Sequence, residues 1–103
     1  MKTTTFQEIK FKSGDIIPAG VEVEVLPLRK EGERRGHPFY CIVLYLGAEY
    51  KCFYTHVMQP PSDDEIESMV VGSTCPSIGG CDVEPDGFDP SGFPSWLQAL
   101  GLA

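Results

Sequence analysis

The chain contains no lysine or arginine after Lys51, although it carries eight such bases in all. Residues 1–58 hold these eight bases and seven acids, whereas residues 59–103 hold eight acids and no base. Such asymmetry indicates an acidic segment that either folds over the first half or presents a negative surface to a partner. The candidate partner-binding residues are therefore the acids of the second half: Asp63, Asp64, Glu65, Glu67, Asp82, Glu84, Asp86 and Asp89.

An extended surface of positive charge and long apolar runs are also not indicated by the sequence. The net charge of −7 and the pI near 4.6 argue against nucleic acid or an anionic membrane as a partner, because both attract proteins through clustered bases. No segment approaches the roughly 20 apolar residues of a membrane-spanning helix, and the amino terminus lacks the apolar stretch of a secretory signal. We therefore expect a soluble, cytoplasmic protein with no membrane partner. Its acidity leaves room for a protein partner with a basic surface.

Signals of catalysis are absent as well. The chain has neither a Gly-x-Ser-x-Gly nucleophile motif nor a glycine-rich phosphate loop after a strand. We identify no catalytic and no cofactor-binding residue, so the sequence predicts a protein that is not an enzyme and has no cofactor. The only basic cluster occupies residues 29–37, where Glu31 and Glu33 interrupt it. This interruption favours a solvated loop over a phosphate-binding surface.

The length and composition fit one small domain. The 103 residues are 42% hydrophobic and include six phenylalanines, four tyrosines and one tryptophan, which suffices for a single packed core. Nine prolines and eleven glycines favour short strands and many turns. We expect a β-rich core in residues 1–58, with an acidic segment in residues 59–103 whose short helices fold back on it.

Strands are expected where apolar residues alternate or cluster. Residues 21–25 alternate valine with glutamate, which predicts a half-buried strand. The apolar runs 39–46 and 50–58 flank Gly47-Ala48, a pair suited to a tight hairpin turn that would place Val43 opposite Cys52. Both faces of this hairpin would be apolar. We therefore expect the acidic half to cover the face that the valine strand leaves open.

Two helices are expected in the acidic half. Ser62 and Glu65 have the spacing of a capping box, and Ile66, Met69 and Val70 would share one buried face of the helix that follows. A second Ser-x-x-Gln cap at residues 95–98 precedes a helix of one or two turns, which is too short to be stable unless its tryptophan packs on the core.

The candidate zinc ligands are the four cysteines, with His56 on the same hairpin face as Cys41 and Cys52. Ten residues separate Cys41 from Cys52 and five separate Cys75 from Cys81, whereas paired zinc ligands are usually two to four residues apart. Because the cytoplasm keeps thiols reduced, disulfides are not expected. The spacing favours small buried core residues over a metal site, so the sequence predicts no bound metal.

Residues 82–87 resemble the opening of a calcium-binding EF-hand loop, with acids at its first, third and fifth positions and glycine at the sixth. The twelfth position, where such a loop needs a bidentate acid, is Phe93. This difference favours Asp-Gly and Asp-Pro turns whose side chains cap their own backbone.

Close to the carboxyl end of the chain, residues 83–101 read VEPDGFDPSGFPSWLQALG. This ending resembles the closing segment of small uncharacterised proteins of tailed phages and prophages. The resemblance implies a phage accessory protein of the bacterial cytoplasm whose partner is a host or phage protein. This group includes inhibitors of host defence proteins. It identifies no site residue.

The amino-terminal half, with its Gly14-Asp15 turn, paired strands and Pro60-Pro61 exit, is similar in pattern to small SH3-like barrels. We expect a mainly β (α+β) fold, either an SH3-like barrel or a curved antiparallel sheet of four or five strands, with one or two short helices. The predicted function is non-enzymatic binding and inhibition of another protein through the acidic surface. The alternative is a small β-barrel module that contacts nucleic acid or is stabilised by a metal ion.

Overall fold

Four antiparallel strands form the main sheet of the protein, as seen in a computed structural model that describes residues 1–103. Two shorter strand pairs and three short helices complete the fold. The elements in chain order are β1 (Lys2–Thr4), β2 (Ile9–Lys10), β3 (Ile16–Ile17), β4 (Glu22–Pro27), β5 (Tyr40–Tyr45), β6 (Ala48–Phe53), α1 (Tyr54–Val57), α2 (Asp63–Val71), β7 (Cys75–Pro76), β8 (Asp82–Val83) and α3 (Trp96–Ala99).

The main sheet has the strand order β1-β4-β5-β6, while β2 pairs with β3 and β7 pairs with β8. The prediction of a mainly β fold with short helices is therefore confirmed. The predicted SH3-like barrel is not confirmed, because no pairing joins β1 to β6 and the sheet stays open at these two edges. No helix is long and apolar enough to cross a membrane.

The predicted valine strand is β4, one of the two inner strands of the main sheet. Val23 and Val25 of β4 are buried, and Val25 lies opposite Val43 of β5. Glu22, one position away from Val23, is exposed. The alternation of the sequence therefore matches the two faces of the strand, as side chains of successive strand residues point to opposite faces.

The turn between β5 and β6 differs from the prediction. Its central residues are Leu46 and Gly47, with φ of 48° and 79°, so Cys41 lies opposite Cys52 and Val43 lies opposite Tyr50. Two consecutive positive φ values are typical of a type I′ turn, whose twist matches that of the flanking strands. The fit to this twist outweighs the cost of the left-handed conformation at Leu46. Because the partner changes by two positions, each side chain keeps its predicted face.

The acidic half folds back on the sheet, but not over the face that we expected. Its buried apolar residues join one core cluster with the buried side chains of β4, β5 and β6. The second half contributes to this core Met69, Cys75, Ile78, Phe93, Trp96, Leu97 and Ala99.

The opposite side of the sheet, which we call the open face, has no cover. On it Leu26, Ile42 and Lys51 are aligned across three strands, and Tyr40 lies opposite Phe53. Leu26 and Phe53 are exposed, while Tyr40 and Ile42 are only partly buried. The expectation that the acidic half covers the second face of the hairpin is therefore wrong: both the β2–β3 pair and the acidic half pack on the same side.

Helix α2 has the predicted capping box. The side chain of Ser62 accepts a hydrogen bond from the Glu65 backbone N–H at 3.3 Å, and the Glu65 carboxylate accepts one from the Ser62 N–H at 3.3 Å. Met69 is the buried residue of the helix and Ile66 is partly buried. Val70 was predicted to be buried, but its side chain is 60% exposed because only one narrow face of the helix meets the core.

Helix α3 is stabilised by its surroundings. The side chain of Ser95 accepts a hydrogen bond from the Gln98 N–H at 3.1 Å, as the cap predicts, and all four helical residues are buried. The Gln98 amide donates to the carbonyl of Gly87 at 2.6 Å. A helix of four residues is unstable in isolation, so these contacts and the burial of Trp96 explain its presence.

Candidate functional site

Asp89 organises the long loop of the acidic half from a buried position. Its carboxylate accepts hydrogen bonds from the Ser77 hydroxyl at 2.6 Å, the Ser91 N–H at 2.9 Å and the Phe93 N–H at 3.1 Å. A carboxylate tolerates burial when such donors replace water. The bond to Ser91 is the predicted capping of the backbone by an Asp-Pro turn. Asp89 is 6% exposed and is not part of the surface that a partner would meet.

The other seven predicted partner-binding acids are exposed: Asp63, Asp64, Glu65 and Glu67 on α2, and Asp82, Glu84 and Asp86 around β8. None of them forms an ion pair. The three ion pairs of the protein join Glu24 to the amino terminus, Lys2 to Glu22 and Lys10 to Glu8, all within the first half. The negative charge of the second half is therefore not neutralised by the protein itself.

Helix α2 presents part of this charge as a stripe. Residues at positions i, i+3 and i+7 of a helix lie on one face, so Asp64, Glu67 and Val71 share a face on the side away from the buried Met69. The side chain of Val71 is 82% exposed. This acidic stripe, defined by Asp64, Glu67 and Val71, therefore combines two unpaired carboxylates with an apolar contact point.

The basic loop, residues 29–37, is exposed to solvent from Arg29 to Arg35, as expected, and it is also fastened to the second half. The Gly36 N–H donates to the Gly92 carbonyl at 2.9 Å, and the Arg29 guanidinium donates to the Ser91 carbonyl at 2.5 Å. A Cβ atom on Gly92, which has φ of 93°, would lie 2.5 Å from the Arg34 carbonyl oxygen. The close approach of these two loops therefore requires glycine at position 92.

The basic loop borders a groove of about 420 Å³. The two ends of the basic loop are joined by a hydrogen bond of 2.7 Å from the His37 N–H to the Leu28 carbonyl. Three bases and one acid line the groove, and none of the four forms an ion pair. The residues lining this basic groove are Leu28, Arg29, Lys30, Glu33, Arg35, Gly36, His37 and Pro38.

An aromatic cluster adjoins the basic groove at one end of the open face. The rings of Tyr40 and Phe53 stack with centroids 4.4 Å apart, and His37 and His56 contact this pair at 5.0 Å and 5.1 Å. The Lys51 ammonium lies 4.6 Å from the centre of the Tyr40 ring, a favourable cation–π distance. We define the aromatic cluster as His37, Phe39, Tyr40, Phe53 and His56.

His37 connects the cluster to the groove. Its Nδ1 atom accepts hydrogen bonds from the N–H groups of Phe39 at 3.0 Å and Tyr40 at 3.1 Å, while its ring lines the groove. An imidazole nitrogen that accepts such bonds carries no proton, so Nε2 carries the proton of the neutral ring. This arrangement orients the ring at the junction of the two surfaces.

The cysteines do not form a metal site. Cys41 and Cys52 lie opposite each other, with the Cys41 thiol donating to the Cys52 carbonyl at 3.4 Å, whereas Cys75 is buried in β7 and Cys81 is exposed. The hydrogen bond to Cys52 and burial raise the pKa of Cys41 well above its usual range. Cys41 therefore stays protonated, and a thiol is a much poorer metal ligand and nucleophile than a thiolate.

The calcium-like loop does not form a metal site either. Asp82, Glu84 and Asp86 are exposed, whereas Asp89 is buried against Ser77. No group of three or more His, Cys, Asp or Glu residues in the protein has the arrangement that a metal ion needs.

Sequence reasoning missed the groove and the role of Asp89. Gly36 and Gly92 were the available signals, because each allows a close backbone approach, but neither shows that the two loops meet.

No protein-family model matches the chain, and no curated protein and no solved structure matches it either.

Proposed function

We propose that the protein is a non-enzymatic, phage-type accessory protein that acts in the bacterial cytoplasm by binding a host protein through its acidic surface. Inhibition of a host defence protein is the proposed consequence. The observation that carries this proposal is the set of seven exposed carboxylates in the second half, none of which meets a base of its own chain. A basic surface on a partner supplies the missing counter-charges.

The acidic stripe is held in one orientation before any partner arrives. The capping box fixes the start of α2, and Met69 anchors the helix in the core. A binding surface that is ordered beforehand pays less entropy on association. Complementary charge also speeds and orients the encounter between two proteins.

Val71 gives the stripe a contact that does not depend on charge. Its side chain is 82% exposed and lies on the face that carries Asp64 and Glu67. Interfaces combine an apolar centre with a polar rim. We therefore expect the partner to place an apolar side chain against Val71 and bases around it.

The test neutralises the stripe and compares it with an equal change of charge elsewhere. The variant Asp64→Asn, Glu67→Gln removes two negative charges from α2, and the control Glu31→Gln, Glu49→Gln removes two from exposed positions of the first half. The wild-type protein is used to capture its partner from bacterial lysate, and the purified partner is then titrated with all three proteins by calorimetry.

We expect the stripe variant to bind about tenfold or more weakly at low salt and the control to bind within about twofold of wild type. Thermal unfolding of both variants verifies that they stay folded. Equal affinities for the stripe variant and the control would contradict the proposal.

The order of the strands is similar to that of an SH3-like barrel. β4, β5 and β6 follow one another as antiparallel neighbours, with the β2–β3 pair inserted between β1 and β4. We interpret this as an open relative of an SH3-like barrel that lacks the closing strand.

The alternative function, contact with nucleic acid by a small β module, is favoured by one observation. The basic loop of residues 29–37 lies next to an aromatic cluster, and bases beside aromatic rings are typical of single-strand recognition. A metal-stabilised version of this module has no cluster of ligands to support it.

A further inference from the structure

Hydrogen bonds and close contacts hold the backbone around the basic groove. The loop that forms it is closed by the His37–Leu28 hydrogen bond and fastened to the second half through the Gly36–Gly92 bond. A Cβ atom added to Gly36 would lie 2.7 Å from the Pro27 Cβ, so the backbone at Gly36 is in tight contact with Pro27. The backbone that carries the bases is therefore held in place by the fold, which lowers the entropy cost of binding a ligand.

The bases of the groove lack carboxylate partners in a protein with a large excess of acids. Arg29, Lys30 and Arg35 line the groove, and none has a carboxylate within ion-pair distance, although the chain has fifteen acids. Glu33 is the one acid in the lining. The Arg29 guanidinium also donates to the Ser91 carbonyl, and the Arg35 guanidinium lies 5.5 Å from the centre of the Phe88 ring. Guanidinium and ammonium groups that line one groove are typical of phosphate recognition.

Phe39, the residue that follows the groove in the chain, has a ring available for stacking. Phe39 follows the groove residue Pro38, its side chain is 38% exposed, and its ring contacts His37 at 5.7 Å. The ring of Tyr40, in contrast, is already engaged by Phe53 and Lys51. Phe39 is therefore the ring on which a flat ligand can stack beside the groove.

We propose that the basic groove and Phe39 form a binding site for a small ligand of the mononucleotide class, with its phosphate between Arg29, Lys30 and Arg35 and its base on Phe39. The volume of about 420 Å³ falls in the range of small-molecule sites. This site shares no residue with the acidic stripe, so the inference stands or fails independently of the proposed function.

The charge of the whole protein explains why we favour a single nucleotide over a nucleic-acid strand. A strand extends its phosphates beyond the groove, where a protein with a net charge of −7 repels them. A mononucleotide confines its charge to the groove, where three bases face one acid. Strand binding is the competing outcome that the test must separate.

The test follows backbone amide signals by NMR at low salt while adenosine 5′-monophosphate, adenosine or inorganic phosphate is added to the full chain. We expect the monophosphate to shift the amides of residues 28–39 and to bind about tenfold more tightly than either fragment, because it alone makes both contacts. An absence of saturable shifts in these residues would overturn the proposal.

Variants assign the phosphate to the groove. Lys30→Gln, Arg35→Gln is expected to weaken binding of the monophosphate about tenfold or more, with binding of adenosine unchanged. Arg34→Gln is the matched control, since Arg34 is on the same loop and exposed but does not line the groove. Equal loss of affinity per charge removed in the two variants would mean a diffuse charge effect and would overturn the site.

Two further arms test the ring and the size of the ligand. Phe39→Leu should weaken the binding of both adenosine and the monophosphate about fivefold. Phe6→Leu, at a similarly exposed phenylalanine without a ring partner, should leave both affinities unchanged.

An oligothymidylate of twelve nucleotides should bind no more tightly than the monophosphate. If it binds about tenfold more tightly, the ligand is single-stranded nucleic acid and the mononucleotide proposal is wrong.

Discussion

The two halves of the protein are held together in different ways. The first half is built on a regular sheet, in which β5 and β6 alone pair six residues each. The second half has one nine-residue helix and a two-residue strand pair, and its long loop depends on polar side chains such as Asp89 and Ser95. Regular backbone pairing follows from a repeating pattern, whereas a loop of this kind depends on a few individual residues.

A single core nevertheless joins the two halves. Tyr54, directly after β6, packs against Phe93 of the acidic half with ring centroids 6.2 Å apart. The acids of the second half are excluded from this core except for Asp89. The halves therefore differ in what stabilises them locally: backbone pairing in the first half and individual polar side chains in the second. Substitutions can test this difference.

The largest effect is expected at Asp89, because three donors rely on its carboxylate. Asp89→Ala leaves the buried Ser77 hydroxyl and the Phe93 N–H without this acceptor, and should lower the free energy of unfolding by about 3 kcal/mol. Asp86→Ala, at an exposed position of the same loop, should change it by less than about 0.5 kcal/mol. Urea denaturation measures both, and similar midpoints would show that the loop does not depend on Asp89.

The next effect concerns the junction between the basic loop and the second half. Gly92→Ala adds a Cβ atom 2.5 Å from the Arg34 carbonyl oxygen in a left-handed backbone conformation. We expect a loss of about 2–3 kcal/mol, from steric clash together with backbone strain.

Gly80→Ala is a matched control for that junction, since Gly80 has nearly the same φ of 92° but no atom within 4 Å of the added Cβ. The control should lose about 1 kcal/mol, from backbone strain alone. Thermal or urea unfolding compares the two variants. A loss at Gly92 no larger than the loss at Gly80 would mean that the two loops separate without cost.

A smaller effect is expected at the start of α2, where local sequence is sufficient to explain the structure. Ser62→Ala removes the acceptor of the Glu65 N–H and should cost about 1 kcal/mol. Ser68→Ala, at an exposed position inside the same helix, should be neutral or slightly stabilising, because alanine has the higher helix propensity. Circular dichroism during urea titration measures the difference, and an unchanged Ser62→Ala would contradict the role of the capping box.

These sites also show how far the sequence could predict the structure. The capping box of Ser62 and the alternation around Val23 depend on neighbours in the chain, and both were predicted correctly. The register between Cys41 and Cys52 depends on the twist of a turn, and the burial of Asp89 depends on Ser77, twelve residues away. Contacts of this second kind are set by packing, which no local pattern contains.

The candidate surfaces also differ in whether local sequence or packing determines them. The exposure of the acids at Asp64 and Glu67 could be predicted from composition and helix spacing. The basic groove could not, because it forms within a loop that is closed by the His37–Leu28 hydrogen bond and fastened to Ser91 and Gly92, and these contacts are visible only in the fold. The uncovered open face was missed for a related reason: an apolar pattern indicates that a face needs a partner but does not say which segment supplies it.

The smallest effect at neutral pH is expected at Tyr54, where the two halves meet. Its hydroxyl is buried and has no hydrogen-bond partner in the protein. Tyr54→Phe keeps the ring contact with Phe93 and removes only this unpaired hydroxyl, so the free energy of unfolding at pH 7 should stay the same or rise by less than about 0.5 kcal/mol. A loss of 1 kcal/mol or more in urea denaturation would mean that the hydroxyl has a partner after all.

Alkaline pH should reveal what this hydroxyl does to stability. Burial raises the pKa of Tyr54 in the folded protein well above its usual value, so above about pH 10 the unfolded chain loses a proton that the folded chain retains. Unfolding is then favoured as pH rises, and the wild type should lose about 1.4 kcal/mol more than Tyr54→Phe between pH 9 and pH 11. Parallel stability curves for the two proteins over this range would contradict a buried, protonated Tyr54 at the junction of the two halves.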